Sequence, residues 1–217
     1  KTGVAKIIDF GISTYLTREQ AALVSAEGFQ GSLPYISPEQ TGRMNRSIDY
    51  RSDFYSLGVT IYELLTGRTL FVVNEPIEWF HCHIAKKPIP PVEIDTKIPR
   101  PLSDLVMKLL AKTAEERYQS ARGILADLQR CLDELRATGA IAPFELGRFD
   151  QSQRFQIPQR LYGREKEVAL LLADFDDAGR GECKMILVSG YSGIGKTCLI
   201  KEIYKPVTER RGHFVSG

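Results

Sequence analysis

No apolar run in the 217-residue chain approaches the ~18 residues of a membrane-spanning helix; the longest runs only from Val168 to Ala173. A strong excess of one charge is also lacking. Lys+Arg number 29 and Asp+Glu 27, a formal charge of +2, which argues against a dedicated binder of polyanions such as nucleic acid. The four cysteines, Cys82, Cys131, Cys183 and Cys198, form no CxxC pair. Neither a zinc knuckle nor a disulfide framework is indicated, and reduced thiols in a cytoplasmic protein are the expectation. Nothing in the opening residues reads as a signal peptide, and no internal repeat or low-complexity tract is present. What remains is enough to fold: 43% hydrophobic and 26% charged residues predict a packed core. The length suits one large domain, or one domain and part of another. Lys1 falls inside an apolar-alternating stretch and Gly217 follows a short apolar run, so the expectation is a piece of a longer protein.

Punctuation and periodicity divide the chain. Val4 to Ile8 reads as a strand, and residues 12 to 36 as a polar loop. Arg51 to Thr66 is apolar on nearly every side, which predicts a buried helix stopped by Gly67. Pro76 opens a helix to about Ala85, and Pro88, Pro90 and Pro91 enforce an extended loop. Pro101 opens a helix with Leu102, Leu105, Val106, Leu109 and Leu110 on one face. Ser120 caps a last helix to about Arg136. The pattern then collapses over residues 137–159, a predicted linker. Beyond it come a helix from Glu165 to Asp177, a strand from Lys184 to Ser189, a glycine-rich turn, and a helix from Lys196 that Pro206 should end or kink. His213 to Ser216 could begin another strand.

Gly190-Tyr191-Ser192-Gly193-Ile194-Gly195-Lys196-Thr197 matches GxxxxGK[ST] between a predicted strand and a predicted helix. Glycines let backbone N–H groups turn inward around phosphate oxygens, and the helix start favours the same anion. Lys196 supplies a charge for β/γ-phosphates, and the Thr197 hydroxyl is placed for Mg2+. The bland alternative is a glycine-rich turn with no ligand. About one helix earlier stands Leu161-Tyr162-Gly163-Arg164-Glu165, and here the sequence resembles the AAA+/STAND class of ATPases. The resemblance implies that this box, Gly163 and Arg164 with it, lies near the adenine. Asp174, Asp176 and Asp177 precede the loop and read as a solvated helix face; the acidic motif completing such a site should follow the loop.

The first half carries a second ordered set. Asp9-Phe10-Gly11 is followed, 30 positions from Asp9 to Glu39, by Ser37-Pro38-Glu39. Between them lies Gly31-Ser32-Leu33-Pro34-Tyr35-Ile36; after them come Asp53-Phe54-Tyr55-Ser56-Leu57-Gly58 and Arg117 in Ala114-Glu115-Glu116-Arg117-Tyr118. This order resembles protein kinases from the DFG motif through the APE motif, with Ser37 for Ala, Ser32 for Thr and Tyr55 for Trp. The resemblance implies Asp9 as a Mg2+ ligand, Ser32 and Tyr35 in the substrate-docking strip, and a structural ion pair between Glu39 and Arg117. Ser13, Thr14, Tyr15, Thr17, Ser25 and Ser32 are phosphorylatable; the sequence selects none as a switch. No His-Arg-Asp-x-x-x-x-Asn is present, so the catalytic base lies upstream and the fragment alone is expected to be inactive. His81-Cys82-His83 reads as a helix face rather than a metal site, since i and i+2 point apart on a helix. Trp79 and Phe80 read as packing residues, and the pairs Lys86-Lys87 and Arg210-Arg211 as solvated.

Taken together the fold class is mixed α and α/β: a mostly helical kinase carboxyl lobe (1–136), a linker (137–159), and the start of a P-loop NTPase α/β domain (160–217). Pro34 to Arg46, Arg154 to Pro158 and Val188 to Thr197 resemble very large bacterial, cyanobacterial-type signalling proteins. These fuse a Ser/Thr kinase domain to an AAA/STAND-type ATPase, usually followed by GAF and histidine kinase domains. That implies ATP at two sites, Mg2+ and protein substrates, with self-association through downstream domains; no nucleic acid is expected to bind this fragment, and no membrane. Two other classes stay open: a pseudokinase scaffold with a nucleotide-switched ATPase, and a kinase–ATPase transcription regulator.

Overall fold

A computed structural model describes residues 6–8, 10, 13, 32–44, 46–151 and 163–212. Asp9, Gly11, Thr14, Tyr15, Thr17, Ser25, Gly31, Leu161, Tyr162, the stretch 154–158 and the expected strand at 213–216 lie outside these residues.

The described part is built from helices. The longest in its first half is α1 (Arg51–Thr66), which buries Tyr55, Val59 and Tyr62. It is not enclosed on every side as its composition suggests, because Leu64 on another face is 80% exposed. Gly67, in the left-handed region at φ 64°, donates its N–H to Glu63 O at 2.8 Å and ends the helix. Two helices follow, α2 (Pro76–Ile84) and α3 (Pro91–Ile94). The latter replaces part of the expected proline loop: Pro91 sits in a first turn, where no backbone N–H is missed, and Val92 N–H donates to Ser103 Oγ at 3.2 Å.

Helix α4 (Arg100–Leu109) packs across α1 with Leu105, Val106 and Leu109 buried. The crossing needs Gly58, since a Cβ there would stand 2.8 Å from Leu109 Cβ. Helix α5 (Ala121–Thr138) starts where Ser120 accepts a hydrogen bond from Gly123 N–H at 3.0 Å. Two apolar clusters result. One joins Tyr55, Val59, Tyr62, Leu70, Phe71, Cys82, Val106 and Leu110; the other joins Leu105, Leu109, Tyr118 and Ile124. Part of the predicted linker is packed rather than free, with Leu146 lying against the second cluster.

The last part holds α6 (Glu165–Gly179), α7 (Lys196–Lys201) and α8 (Tyr204–Glu209). The expected strand at 184–189 is corrected: no strand runs through the described residues. A strand needs a neighbour to bond its N–H and C=O groups; without one here, Met185 and Leu187 are 94% and 86% exposed. The helix from Lys196 is interrupted as expected at Pro206: the break falls between Lys201 and Tyr204, where the proline ring would meet the carbonyl four residues earlier, and Pro206 itself stands in the first turn of α8. Helix α8 packs on α2, with Tyr204, Val207 and Thr208 buried. His81 Nε2 lies 3.2 Å from Glu209 O, Arg211 pairs with Glu78 at 3.8 Å, and Arg46 pairs with Glu202 at 3.7 Å. Arg210 pairs with Asp176 and lies 5.1 Å over the Phe175 ring, so the basic pair is engaged rather than simply solvated. Among the described residues, no helix is long and apolar enough to cross a membrane.

Candidate functional site

Two groups of expected site residues fall in different settings. The first surrounds residues 32–41. A short turn at Leu33–Tyr35, opened by Pro34 and closed by Tyr35 N–H to Ser32 O at 2.9 Å, carries the expected docking strip. Three side chains from helices hold it. Ser56 Oγ donates to Tyr35 O at 2.8 Å, and Tyr35 OH donates to Glu63 Oε2 at 2.7 Å. The bond to Glu63, with burial, raises the Tyr35 pKa. From α2, His83 Nε2 lies 3.0 Å from Leu33 O and Nδ1 lies 3.0 Å from Tyr55 OH.

The Leu33 carbonyl can only accept, so Nε2 carries the proton and a neutral imidazole accepts from Tyr55 at Nδ1. Burial, with the nearby Lys112 charge, pushes His83 down to about 3, which agrees with a neutral ring. Lys112 donates to Cys82 O and His83 O at 3.2 and 2.8 Å, and burial pushes it down to about 7. His83 is a supporting residue that sequence reading missed. The only available signal was a histidine between apolar helix residues, which is equally the mark of ordinary core packing. Among the described residues, no cluster of three or more His, Cys, Asp or Glu could hold a metal ion.

Glu39 and Arg117, 78 positions apart, meet in a bidentate pair, with Nη1 to Oε1 at 2.7 Å and Nη2 to Oε2 at 2.8 Å. Arg117 is 1% exposed and Glu39 4%. The remaining guanidinium hydrogens are also used. Nε donates to Ala111 O at 2.8 Å, Nη1 to Arg51 O at 3.1 Å and Nη2 to Lys112 O at 3.3 Å. All five donors of the fork are therefore satisfied, and the Tyr55 ring lies 5.0 Å beneath it. Ser52 Oγ donates to Glu39 Oε1 at 2.6 Å. Burial alone would raise the Glu39 pKa; the Arg117 bonds and charge and the Ser52 bond outweigh it, and the carboxyl titrates below its usual range. Ser37 is fully buried, and its Oγ has no partner among the described residues.

The second group is the glycine-rich loop. Gly190, Gly193 and Gly195 have φ of 153°, 79° and 93°, backbone that side-chain-bearing residues rarely adopt. Lys196 Nζ donates to Gly190 O and Tyr191 O, both at 2.8 Å. Ile194, Gly195 and Lys196 line a cavity of ≈ 330 Å³ together with Arg164, α6 residues and residues 186–189, so Arg164 and the loop lysine border one space. Gly163, Gly190, Tyr191, Ser192, Gly193 and Thr197 do not line it. Arg164 is held by Glu167 at 2.9 Å. The volume lies at the lower end for ligand pockets. Glycine backbone in this conformation, one movable ammonium group and an adjacent hydroxyl form a donor set that fits a polyphosphate with Mg2+. Asp9 lies outside the described residues, so no such fit can be drawn at the first group.

Residues 1–127 match the protein kinase domain family and residues 160–217 the AAA ATPase domain family. The chain is 39% identical over 203 residues, 84% of its length, to the hybrid signal transduction histidine kinase G of Dictyostelium discoideum, and covers 6% of that protein. It is 39% identical over 128 residues to a probable serine/threonine-protein kinase of Clostridium perfringens, covering 59% of this chain and 18% of the relative. It is 37% identical over 129 residues to the serine/threonine-protein kinase PknB of Mycobacterium tuberculosis, covering 59% of this chain and 20% of the relative. The chain thus spans a fifth or less of the length of these relatives. With the Glu39–Arg117 pair and the loop at Lys196 on one polypeptide, the chain belongs to the protein kinase domain family and carries an AAA ATPase domain match behind it.

Proposed function

We propose that the intact protein is a signal-transducing Ser/Thr protein kinase that moves the ATP γ-phosphate to protein hydroxyls and is coupled to a P-loop ATPase switch. In this reading residues 1–136 are the kinase carboxyl lobe and 160–217 begin the ATPase. Asp9 holds Mg2+ at the kinase site, Ser32 and Tyr35 lie along the bound substrate, and Glu39 with Arg117 anchors the activation segment. At the second site, Lys196 and the backbone of residues 190–197 bind the phosphates of another ATP, Thr197 holds its Mg2+, and Gly163 and Arg164 lie near its adenine.

The observation that carries the reading is the fully satisfied, buried Glu39–Arg117 pair beneath a docking strip held by Ser56, Glu63 and His83. Similarity to a Dictyostelium discoideum protein named a hybrid signal transduction histidine kinase supports reading this kinase domain as part of a longer signalling chain.

The test is phosphorylation of a protein substrate by the intact protein, with nucleotide titration of the same samples. Asp9→Asn is expected to abolish phosphate incorporation and weaken one class of nucleotide site, leaving the site that depends on Lys196. Unchanged incorporation in Asp9→Asn would overturn the catalytic reading in favour of a pseudokinase scaffold.

A further inference from the structure

Residues 128–159 fall between the two family matches, yet residues 142–150 are fastened to the lobe at several points. Ala142 N–H donates to Glu134 Oε2 at 2.8 Å, and Arg130 lies 4.3 Å over the Phe144 ring. Leu146 joins the cluster of Leu105, Leu109, Tyr118 and Ile124. Asp127 Oδ2 accepts from Tyr118 OH at 2.6 Å and from Gly147 N–H at 2.7 Å, so one buried carboxylate oxygen bonds both the lobe and the returning chain. The last fastening is Asp150, which accepts from Gln119 N–H at 2.7 Å and from Ser120 Oγ at 2.9 Å. Ser120 Oγ accepts from Gly123 N–H at the same time, which fixes its hydrogen toward Asp150. The space for this carboxylate exists only because residue 123 is glycine, since a Cβ there would stand 2.5 Å from Asp150 Oδ1.

Gln119 is the junction between this strap and the activation-segment anchor. Its side-chain amide donates to Arg117 O at 2.8 Å and Ala114 O at 3.0 Å. Its Oε1 accepts from Arg51 Nη1 at 2.8 Å, and its own carbonyl accepts from Tyr50 OH at 2.8 Å. Two positions earlier, Arg117 holds Glu39. A continuous run of charge-assisted and backbone bonds therefore leads from Asp150, through Gln119, to Arg117 and Glu39. On its other side, Asp150 is 13 positions from Gly163, where the box leading to the phosphate loop begins.

We propose that residues 142–150 are an intramolecular docking strap, and that Asp150 is a positioning residue that holds the Arg117 loop in register beneath the activation segment. The tether of the ATPase is then attached to the foundation of the kinase lobe, and a displacement of the strap is felt at Glu39. Its activity arm rests on the kinase reading above; its structural arm does not.

The experiment is hydrogen exchange of the intact protein, with phosphorylation kinetics, for wild type, Asp150→Ala, Gly123→Ala and Asp150→Asn. Asp150→Ala and Gly123→Ala each remove the same carboxylate from its place, one by deletion and one by collision. Both are expected to speed exchange of the amides at 114–120 and 36–41 by about tenfold or more, with Val59 in the interior of α1 unchanged. Asp150→Asn keeps an oxygen that accepts from Gln119 N–H and is expected to fall between them and wild type. Gly123→Ala should lower the melting temperature, whereas an alanine at an unobstructed helix position raises it. In the kinetics, the first two variants should raise KM for the protein substrate more than they lower kcat, with nucleotide affinity at the Lys196 site unchanged. Unaltered exchange at 36–41 in both variants, or a Gly123→Ala protein that melts higher than wild type, would overturn the proposal. A wild type that transfers no phosphate would end the kinase reading alone, since the exchange pattern still decides for or against the strap.

Discussion

Arg117 and Lys196 are both cations, but their surroundings are opposite. Arg117 is buried and every donor of its guanidinium is occupied by the protein: two by Glu39 and three by carbonyls. Lys196, half-buried at the start of α7, has its ammonium on the carbonyls of Gly190 and Tyr191. A carbonyl is a weaker partner than a dianionic phosphate oxygen. The first region is completed by the chain itself and fixes a shape. In the function proposed above, the second is completed from outside and can switch. The difference follows from desolvation: a buried ion pair that is fully bonded is costly to break, while a half-buried ammonium held only by carbonyls can change partners at less cost.

The contrast breaks most severely at Arg117. Arg117→Ala leaves Glu39 buried without its cation, and unfolding by urea should show a loss of ~3–5 kcal/mol. Loss of no more than a surface pair would show that Glu39 finds solvent instead.

Acid attacks the same region in stages. The folded value of His83, about 3, lies below its ordinary 6.5. The unfolded chain therefore takes up this proton first, and stability falls as pH drops below 6.5, at up to ~1.4 kcal/mol per unit. Glu39 also titrates below its ordinary value of 4.5. Its contribution is complete above that value and is lost as pH falls toward its lower folded one. Lys112, pushed down to about 7 from its ordinary 10.5, already costs stability as pH falls from 8 to 7, so thermal melts from pH 8 to 4 should decline throughout in wild type, and His83→Gln should flatten only the part between pH 6.5 and 4.5.

The phosphate loop should respond the other way round, with binding affected and stability spared. Lys196→Ala is expected to weaken ATP at this site by about 10- to 150-fold, the equivalent of ~1.5–3 kcal/mol for a charge-assisted bond. Its melting temperature without nucleotide should stay near wild type. A large loss of stability would mean that the loop, too, is a structural element.

The smallest effect sharpens the account at Ser37. Its hydroxyl is buried without a partner among the described residues, so Ser37→Ala should be neutral or stabilise the lobe by up to ~1 kcal/mol. Destabilisation would point to a bond that the described residues do not include.

Much of this arrangement could be read from the sequence because it depends on short-range rules. The apolar spacing of Leu105, Val106 and Leu109 set α4, Ser120 marked the start of α5, and Gly67 marked the end of α1. The long-range pair of Glu39 and Arg117, whose charged atoms stand 2.7 Å apart in the structure, was expected only from the resemblance of these motifs to the kinase pattern. What was not legible depends on long-range contact. His83 looks like any helix histidine until Leu33 and Tyr55 arrive from elsewhere. Residues 142–150 have linker composition, and only the bonds from Gln119 and Ser120 and the gap beside Gly123 show that Asp150 belongs to the lobe. Arg210 and Arg211 read as solvated because their partners, Asp176 and Glu78, are 34 and 133 positions away. The segment 184–189 has strand composition, but its pairing depends on neighbours that are not among the described residues.

Hydrogen exchange of the intact protein, with and without Mg·ATP, tests the central contrast most directly. Without nucleotide, the amides at 36–41 and 114–120 should exchange only through global unfolding, and those at 191–197 should exchange rapidly. Mg·ATP should slow exchange at 191–197 by about tenfold or more in wild type and far less in Lys196→Ala. A loop already protected without nucleotide, or an anchor at Glu39 and Arg117 that exchanges as fast as the loop, would contradict the account.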